Sequence, residues 1–245
     1  MPEIVSPKEF IRLLSELQHH EEAQRRKVGD STLDPQLALL RQWQAERLQR
    51  TYADLLNDKQ YRSACLFFLS DIYSPRDFSQ RDHDAEHLYS LLSRFLPQAM
   101  LRLLADAIRT NQLTDQLDRA LLLELKNNFG MTDTLTPELY AQAFRQCDNY
   151  TQRREQIDLM AKILQEAAQG ARNPIFAASL HLVRRPAQRA GWSEVYDFFE
   201  RGYQACRPMR DVKFFVKTIY QRETTLLDQI FSGDPEPFAL KPANY

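Results

Sequence analysis

Glycine and long apolar runs are scarce in this sequence, and each shortage excludes a class of protein. Only 6 of the 245 residues are glycine, whereas Gly-rich phosphate loops and β-rich folds with many tight turns usually use more. No run of 18 apolar residues occurs, so we expect no membrane span. Residues 1–20 lack the charged and then apolar pattern of a secretory signal peptide. We therefore expect a cytoplasmic protein with no membrane partner.

Cysteine is also rare, and the net charge is close to zero. The three cysteines, Cys65, Cys147 and Cys206, are far apart and surrounded by apolar residues. An odd number of such residues favours buried thiols in a reducing cytosol over disulfides. The formal net charge of −1 gives no bulk basic character, so nucleic acid is not favoured as a partner.

The motifs of known enzyme chemistries are missing. The sequence contains no Walker A loop, no Rossmann glycine pattern, no nucleophile elbow, no HExxH and no CxxC. No reaction type and no cofactor can be predicted from it. Whether the protein is an enzyme stays open at this point.

Helix formers and helix start signals dominate what is present. Leu, Ala, Gln, Arg and Glu are abundant, and no segment shows the alternation typical of a strand. Helix starts are predicted at Ser6-Pro7, Asp34-Pro35, Thr136-Pro137, Asn173-Pro174 and Asp211. We predict an all-α fold, a single-domain bundle of about ten helices over residues 1–232 with an extended tail over 233–245.

Three further features of the helices are predicted from a single residue or from one apolar segment. Residues 61–73 are apolar nearly all round, which predicts a helix at the centre of the bundle. Thr114 is predicted to cap a helix of its own, separate from one that begins at Pro97. Pro186 is predicted to break the chain after a short helix that ends near Leu182.

Charged residues lie close to predicted apolar helix faces at two places in the sequence. Glu223 falls between Ile219 and Leu226, so it either faces the core and needs an arginine partner or lies on the flank. Three arginines beside the apolar stripe of the helix after residue 34 are expected to form a solvated flank. They are Arg41, Arg47 and Arg50.

Residues 71–87 gather acidic side chains directly after the predicted central helix. Carboxylates so close to apolar surface must be paired, protonated or metal-bound. The candidate ligand-binding residues are Asp77, Arg81 and Asp82. His83 and His87 share a helix face and are compatible with Zn²⁺ or a similar cation. The alternative is a capping and salt-bridge network that fixes the turn between two helices.

Residues 170–222 carry ten basic and four acidic side chains. An anion-binding or nucleic-acid-binding patch there would centre on Arg184, Arg185 and Arg189. The alternative is that this basic part docks against the acidic part, residues 71–86, inside one domain. We favour docking, because no basic stripe with interleaved aromatic residues is present.

Four segments resemble one known family. They are RLQRTYADL at 47–55, FFLSDIY at 67–73, PRDFSQRD at 75–82 and DFFERG at 197–202. They resemble a bacterial family named for an FFLEELY motif, and the resemblance covers most of the chain. Ser70, Asp71 and Ile72 depart from that motif. The family has no assigned activity, cofactor or partner, so the resemblance implies a bacterial cytoplasmic protein and gives no role to His83 or His87.

Three functions are compatible with these features. The favoured one is a non-enzymatic interaction or regulatory protein whose partner is another protein, because catalytic motifs are missing and residues 18–27 are polar all round. The first alternative is a metal- or small-ligand-binding enzyme with its site in residues 71–87. The second is nucleic-acid or anion binding through residues 184–189.

Overall fold

Helices form most of the described chain. The computed structural model describes residues 6–13, 35–73, 90, 93–94, 96–131, 133–189 and 193–240. Residues 7–13 are helical. The helices that follow are α1 Pro35–Thr51, α2 Ala53–Asn57, α3 Arg62–Phe67, α4 Gln98–Asn127, α5 Pro137–Gln146, α6 Tyr150–Gly170, α7 Pro174–Arg189, α8 Ser193–Cys206 and α9 Val212–Ser232. A π-helical turn, Phe68–Ile72, continues α3. Within these ranges no residue is in a strand, which confirms the all-α prediction.

Side-chain caps fix several helix starts where they were predicted. Ser6 Oγ accepts a hydrogen bond from the Glu9 amide at 3.2 Å. Thr136 Oγ1 accepts one from the Leu139 amide, and Asp211 Oδ1 accepts one from the Phe214 amide at 2.9 Å. Each bond satisfies an N–H group that has no partner inside its own helix. At its other end α9 stops at Gly233, whose φ of 76° suits a residue without a Cβ atom.

The prediction of two helices around Thr114 is wrong. Helix α4 runs unbroken for 30 residues, and Thr114 lies buried inside it. Its Oγ1 atom accepts a hydrogen bond from Gln156 Nε2 of α6 at 2.7 Å. No proline or glycine interrupts residues 109–114, so nothing in the chain forces a break. Thr114 is therefore a core residue that is satisfied by the neighbouring helix.

Pro186 does not end α7, contrary to the prediction. The helix continues to Arg189, with Pro186 inside it. A proline in a helix removes the hydrogen bond to the carbonyl four residues earlier. Here that earlier residue is Leu182, which is exposed, and Pro186 is partly exposed. We infer that water can serve the freed carbonyl, because both residues lie toward solvent.

The 61–73 segment is buried on one side only, so the prediction of a fully buried central helix is wrong. Cys65, Phe67 and Phe68 are buried, whereas Leu66 is 49% exposed. The chain between α3 and Tyr73 also winds as a π turn rather than as a regular helix.

The described part of the protein has two apolar clusters, and four helices contribute to both. Helix α4 places Leu104 in the larger cluster and Leu121 in the smaller one. Helix α9 contributes Phe215 to the larger cluster and Leu227 to the smaller. Helix α6 likewise spans the two, and α1 does so with Leu48 in the larger cluster and Leu40 in the smaller, so four helices lie at the boundary between them. No helix of the described residues is long and apolar enough to cross a lipid bilayer.

The three cysteines are free thiols, as predicted, and their burial makes a testable difference to their reactivity. Burial raises the pKa of Cys65 and that of Cys206 to about 12. The thiolate is the reactive form, so at pH 8 we expect both to react roughly a thousandfold more slowly than an unperturbed thiol. Cys147 is less buried and should react faster than the other two.

Stopped-flow disulfide exchange with a chromogenic reagent measures these rates. Protein unfolded in urea is the control, since all three thiols should then react at one common fast rate. Three fast thiols in the folded protein would contradict the burial of Cys65 and Cys206.

Candidate functional site

A buried ion pair lies at the boundary between the two apolar clusters. Glu223 of α9 is buried on the apolar side of its helix, which confirms that it faces the core. Arg47 Nη1 of α1 donates a hydrogen bond to Glu223 Oε1 at 2.7 Å. The Tyr52 hydroxyl donates to the same oxygen at 2.9 Å. One carboxylate oxygen therefore accepts hydrogen bonds from an arginine and a tyrosine that are both buried.

Tyr73 completes this arrangement from the end of the π turn. Arg47 Nη2 donates to the Tyr73 hydroxyl at 3.1 Å. The Tyr73 amide donates to the Phe68 carbonyl at 2.9 Å, the five-residue step of a π turn. Phe68 in turn meets the rings of Tyr52 and Tyr73 edge to face. The π turn thus aims Tyr73 at Arg47. We call Arg47, Tyr52, Tyr73 and Glu223 the buried cluster.

Burial and the ion pair shift the pKa values of the cluster. Burial alone would lower the pKa of Arg47, but the adjacent Glu223 carboxylate outweighs it and the pKa is raised. Burial raises the pKa of Tyr52, and the charge of Glu223 raises it further. Burial also raises the pKa of Tyr73. At neutral pH, the guanidinium is charged and both phenols keep their protons.

A second buried arginine lies on α6. Arg153 Nη2 donates to the Leu117 carbonyl of α4 at 3.1 Å, and the guanidinium carbon lies 4.4 Å from the centre of the Phe144 ring. Tyr140 lies nearby, and its hydroxyl accepts a hydrogen bond from Gln44 Nε2 at 3.3 Å. The contacts with Leu117 and Phe144 hold Arg153 against α4 and α5.

A cavity of about 40 Å³ separates the two arginines. By this measure a single water needs about 10–15 Å³, so the space exceeds one water molecule. Its polar lining is Arg47, Tyr73, Tyr140, Arg153, Gln156 and Glu223. Its apolar lining is Phe144, Ile157, Met160, Leu226, Leu227, Ile230 and Phe238. The cavity therefore has a charged side and a hydrocarbon side.

Two of the segments that carry the family resemblance supply residues of this site. Arg47 and Tyr52 come from one segment, and Tyr73 comes from another. Asp71 Oδ1, in the π turn, accepts a hydrogen bond from Arg201 Nε of α8 at 2.8 Å. The resemblance thus points to residues that share one region of the fold.

Arg47 was predicted to belong to a solvated flank, and that prediction is wrong. The residue is 7% exposed and forms the ion pair with Glu223. Arg41 is also largely covered and pairs with Asp115 at 2.8 Å, whereas Arg50 is exposed. The helical spacing indicates the burial of Arg47, because Arg47 lies seven positions after Leu40 and four after Trp43, which are both buried.

All of the predicted ligand and metal residues of the 71–87 segment lie outside the described residues. They are Asp77, Arg81, Asp82, His83 and His87. In the ranges that the structure does describe, no group of three or more His, Cys, Asp or Glu side chains is placed to hold a metal ion. The polar stretch 18–27 also lies outside the described residues. These sites remain predictions.

Arg184, Arg185 and Arg189 are exposed on α7 and do not line the cavity. The structure therefore does not bring them together with Arg47 and Arg153. The Asp71–Arg201 pair joins the acidic and basic segments at one point, as the predicted docking of these two parts requires.

The fold and the cavity together define the class of this protein. It is an all-α protein whose core holds an arginine–glutamate ion pair beside a small cavity. The sequence profile of a domain of unknown function, DUF8198, matches residues 23–237. The chain belongs to that family. No curated protein and no solved structure matches it.

Proposed function

We propose that this protein is a non-enzymatic interaction protein that binds an acidic amphipathic helix of a partner protein along the outer face of α7. One observation carries this proposal. Ile175 and Leu182 are each 64% exposed and lie seven residues apart, so they share one face of α7. Exposed large apolar side chains in a row are typical of surfaces that bind another protein.

The charge of α7 indicates the charge that a partner should carry. The helix contains three arginines and no acidic residue, and all three arginines are exposed. Its outer face therefore combines an apolar row with positive charge toward its C-terminal end. A partner helix with leucines on one face and flanking glutamates would match both features.

A protein partner fits this surface better than nucleic acid does. The arginines of α7 are followed by Glu194, Asp197 and Glu200 on α8, so negative charge interrupts the positive charge along the chain. A nucleic-acid surface is an extended row of phosphates and favours broad positive charge without exposed leucine and isoleucine. We further propose that the protein is bacterial and cytoplasmic, which the FFLEELY resemblance supports.

A labelled helical peptide tests the proposal. The probe carries leucines at helical spacing with glutamates on the flanks, and binding is followed by fluorescence anisotropy. We expect Leu182→Asp to weaken binding at least about tenfold, because a buried leucine contributes more than the 1.4 kcal/mol that this factor represents. Leu123→Asp is the matched control, since Leu123 is 58% exposed on α4, away from α7. It should leave the affinity unchanged.

Three further probes can overturn the proposal. They are a peptide of the same composition with scrambled order, a DNA duplex and vesicles rich in anionic phosphatidylglycerol. Equal binding of the scrambled peptide would mean general charge attraction. Binding of DNA or vesicles without binding of the helical peptide would replace the proposal by one of those functions.

A further inference from the structure

We infer that one end of the helical bundle binds the surface of a membrane that contains anionic lipids. Two turns lie at this end, residues 171–173 between α6 and α7 and residues 207–211 between α8 and α9. Arg172 Nη2 joins the turns, because it donates to the Met209 carbonyl at 3.1 Å and to the Arg210 carbonyl at 2.6 Å. The side chains that flank the two turns therefore belong to one surface, which we call the cationic end.

Positive charge is concentrated at the cationic end. Residues 167–180 and 201–217 contain six basic residues and one acidic residue, Asp211. Arg201 pairs with Asp71, so its charge is compensated. The other five basic residues are exposed, and they are Arg172, Arg207, Arg210, Lys213 and Lys217. Five cations thus accompany one carboxylate, in a protein whose formal net charge is only −1.

Two large apolar side chains are exposed beside these cations. Ile175 is 64% exposed three positions after Arg172, and Phe214 is 46% exposed next to Lys213. The Phe214 ring packs on the Tyr61 ring with 5.5 Å between their centroids, so it is held at the surface. A surface that combines exposed apolar side chains with Lys and Arg is typical of peripheral contact with a membrane.

Helix α9 presents its cations and its exposed phenylalanine on one side. Lys213, Phe214 and Lys217 are all exposed, and Lys217 falls between the other two in angle around the helix. In the turn before α3, Asp58 and Lys59 are both exposed, so their charges offset each other. The positive charge beside Phe214 is therefore not cancelled by that turn.

An anionic lipid surface fits the cationic end better than nucleic acid does. Lipid phosphates attract the cations, and each Lys or Arg near such a surface strengthens binding roughly fivefold. The hydrocarbon beneath the phosphates accepts Ile175 and Phe214. Nucleic acid would match the cations and leave an exposed isoleucine in water.

Peripheral contact also agrees with the apolar content of the chain. We expected no membrane partner because the sequence has no long apolar run. Such a run is required to span a bilayer, and no helix of the described residues spans one. Contact with the lipid headgroups requires only a charged surface with a few apolar side chains.

Co-sedimentation of the full chain with lipid vesicles tests the inference. Vesicles of phosphatidylcholine alone are compared with vesicles in which phosphatidylglycerol replaces a rising share of the lipid. We expect no binding to the neutral vesicles and binding that grows with the share of phosphatidylglycerol. Added salt should weaken this binding, because salt screens exposed charges. Absence of binding, or equal binding to both kinds of vesicle, would overturn the inference.

Two double variants assign the binding to the cationic end. Arg210→Glu with Lys213→Glu should weaken vesicle binding at least about tenfold, because two attractive charges become repulsive. Arg184→Glu with Arg185→Glu is the matched control, since it makes the same change of charge at exposed positions of α7. The control should lose far less affinity. Equal losses would mean attraction to the whole protein and would contradict a defined surface.

The exposed phenylalanine gives a second test that keeps every charge. Phe214→Ala should weaken vesicle binding at least about threefold, because the exposed part of the ring no longer enters the lipid. Phe214→Trp should preserve binding, since tryptophan favours the interface between membrane and water. Leu123→Ala is the control at a position of α4 that is 58% exposed. Unchanged binding of Phe214→Ala would overturn the inference, because charge alone would then explain the attraction.

A single-stranded RNA oligonucleotide is the competing ligand. If it binds through Arg210 and Lys213 while the vesicles do not bind, the cationic end is a nucleic-acid site and the inference fails. The inference goes beyond the proposed function, and the two surfaces share Ile175, which none of these variants changes. Leu182→Asp should leave vesicle binding unchanged, and Arg210→Glu with Lys213→Glu should leave binding of the helical peptide unchanged.

Discussion

Replacing Glu223 with leucine will lower the free energy of unfolding by about 3–5 kcal/mol, the cost of breaking a buried ion pair from one side. The substitution leaves the charged Arg47 side chain buried without its carboxylate. It also removes the acceptor of the Tyr52 hydroxyl. Both groups lose hydrogen bonds that water cannot replace, because both residues are buried.

Urea denaturation of the single and double variants measures this loss. Replacing both partners, in Arg47→Met with Glu223→Leu, should recover most of the lost stability, because no buried charge then remains. Asp54→Ala is the control at the exposed pair of Asp54 and Arg222, and it should cost no more than about 1 kcal/mol. A double variant as unstable as the sum of its singles would contradict the coupling between Arg47 and Glu223.

Replacing Phe68 with alanine will cost about 3–5 kcal/mol, the range for removing a fully buried phenylalanine ring. Phe68 has no exposed surface, and its ring contacts those of Tyr52 and Tyr73. Its loss leaves a void beneath two members of the buried cluster. We therefore expect weaker hydrogen bonding of Tyr73 to Arg47 in addition to lost packing.

Phe214→Ala is the matched control for this prediction. Phe214 is 46% exposed on α9, so its removal should change the free energy of unfolding by about 1 kcal/mol or less. The same urea titration serves both variants. Similar losses for Phe68→Ala and Phe214→Ala would show that Phe68 is not packed as described.

Features that depend on neighbouring residues in the chain were predictable from the sequence. Thr136 and Asp211 cap helices because each precedes its helix and can reach an amide three residues on. Apolar residues at helical spacing on both sides of Glu223 made an inward position one of the two predicted alternatives. Such signals require no knowledge of what packs against the helix.

Features that depend on a distant partner were not predictable. Thr114 has the chemistry of a cap, and only the presence of Gln156 on α6 makes it a core residue. Arg47 has the charge of a surface residue, and Glu223, 176 positions away, keeps it buried. The cavity likewise exists only because α1, α6 and α9 converge, which no local pattern encodes.

The π turn is equivalent to the insertion of one residue into a regular helix. The hydrogen bond from Tyr73 to Phe68 spans five residues instead of the four of a regular helix. The chain between them therefore holds one residue more than a regular helix would need. Phe68 and Tyr73 therefore share a face that would otherwise join Leu69 to Tyr73. Deleting any one residue between 69 and 72 would turn this step into a regular one and would leave Tyr73 on the same face as Phe68. The helix thus absorbs one inserted residue within a single turn and keeps the face that presents Tyr73 to Arg47.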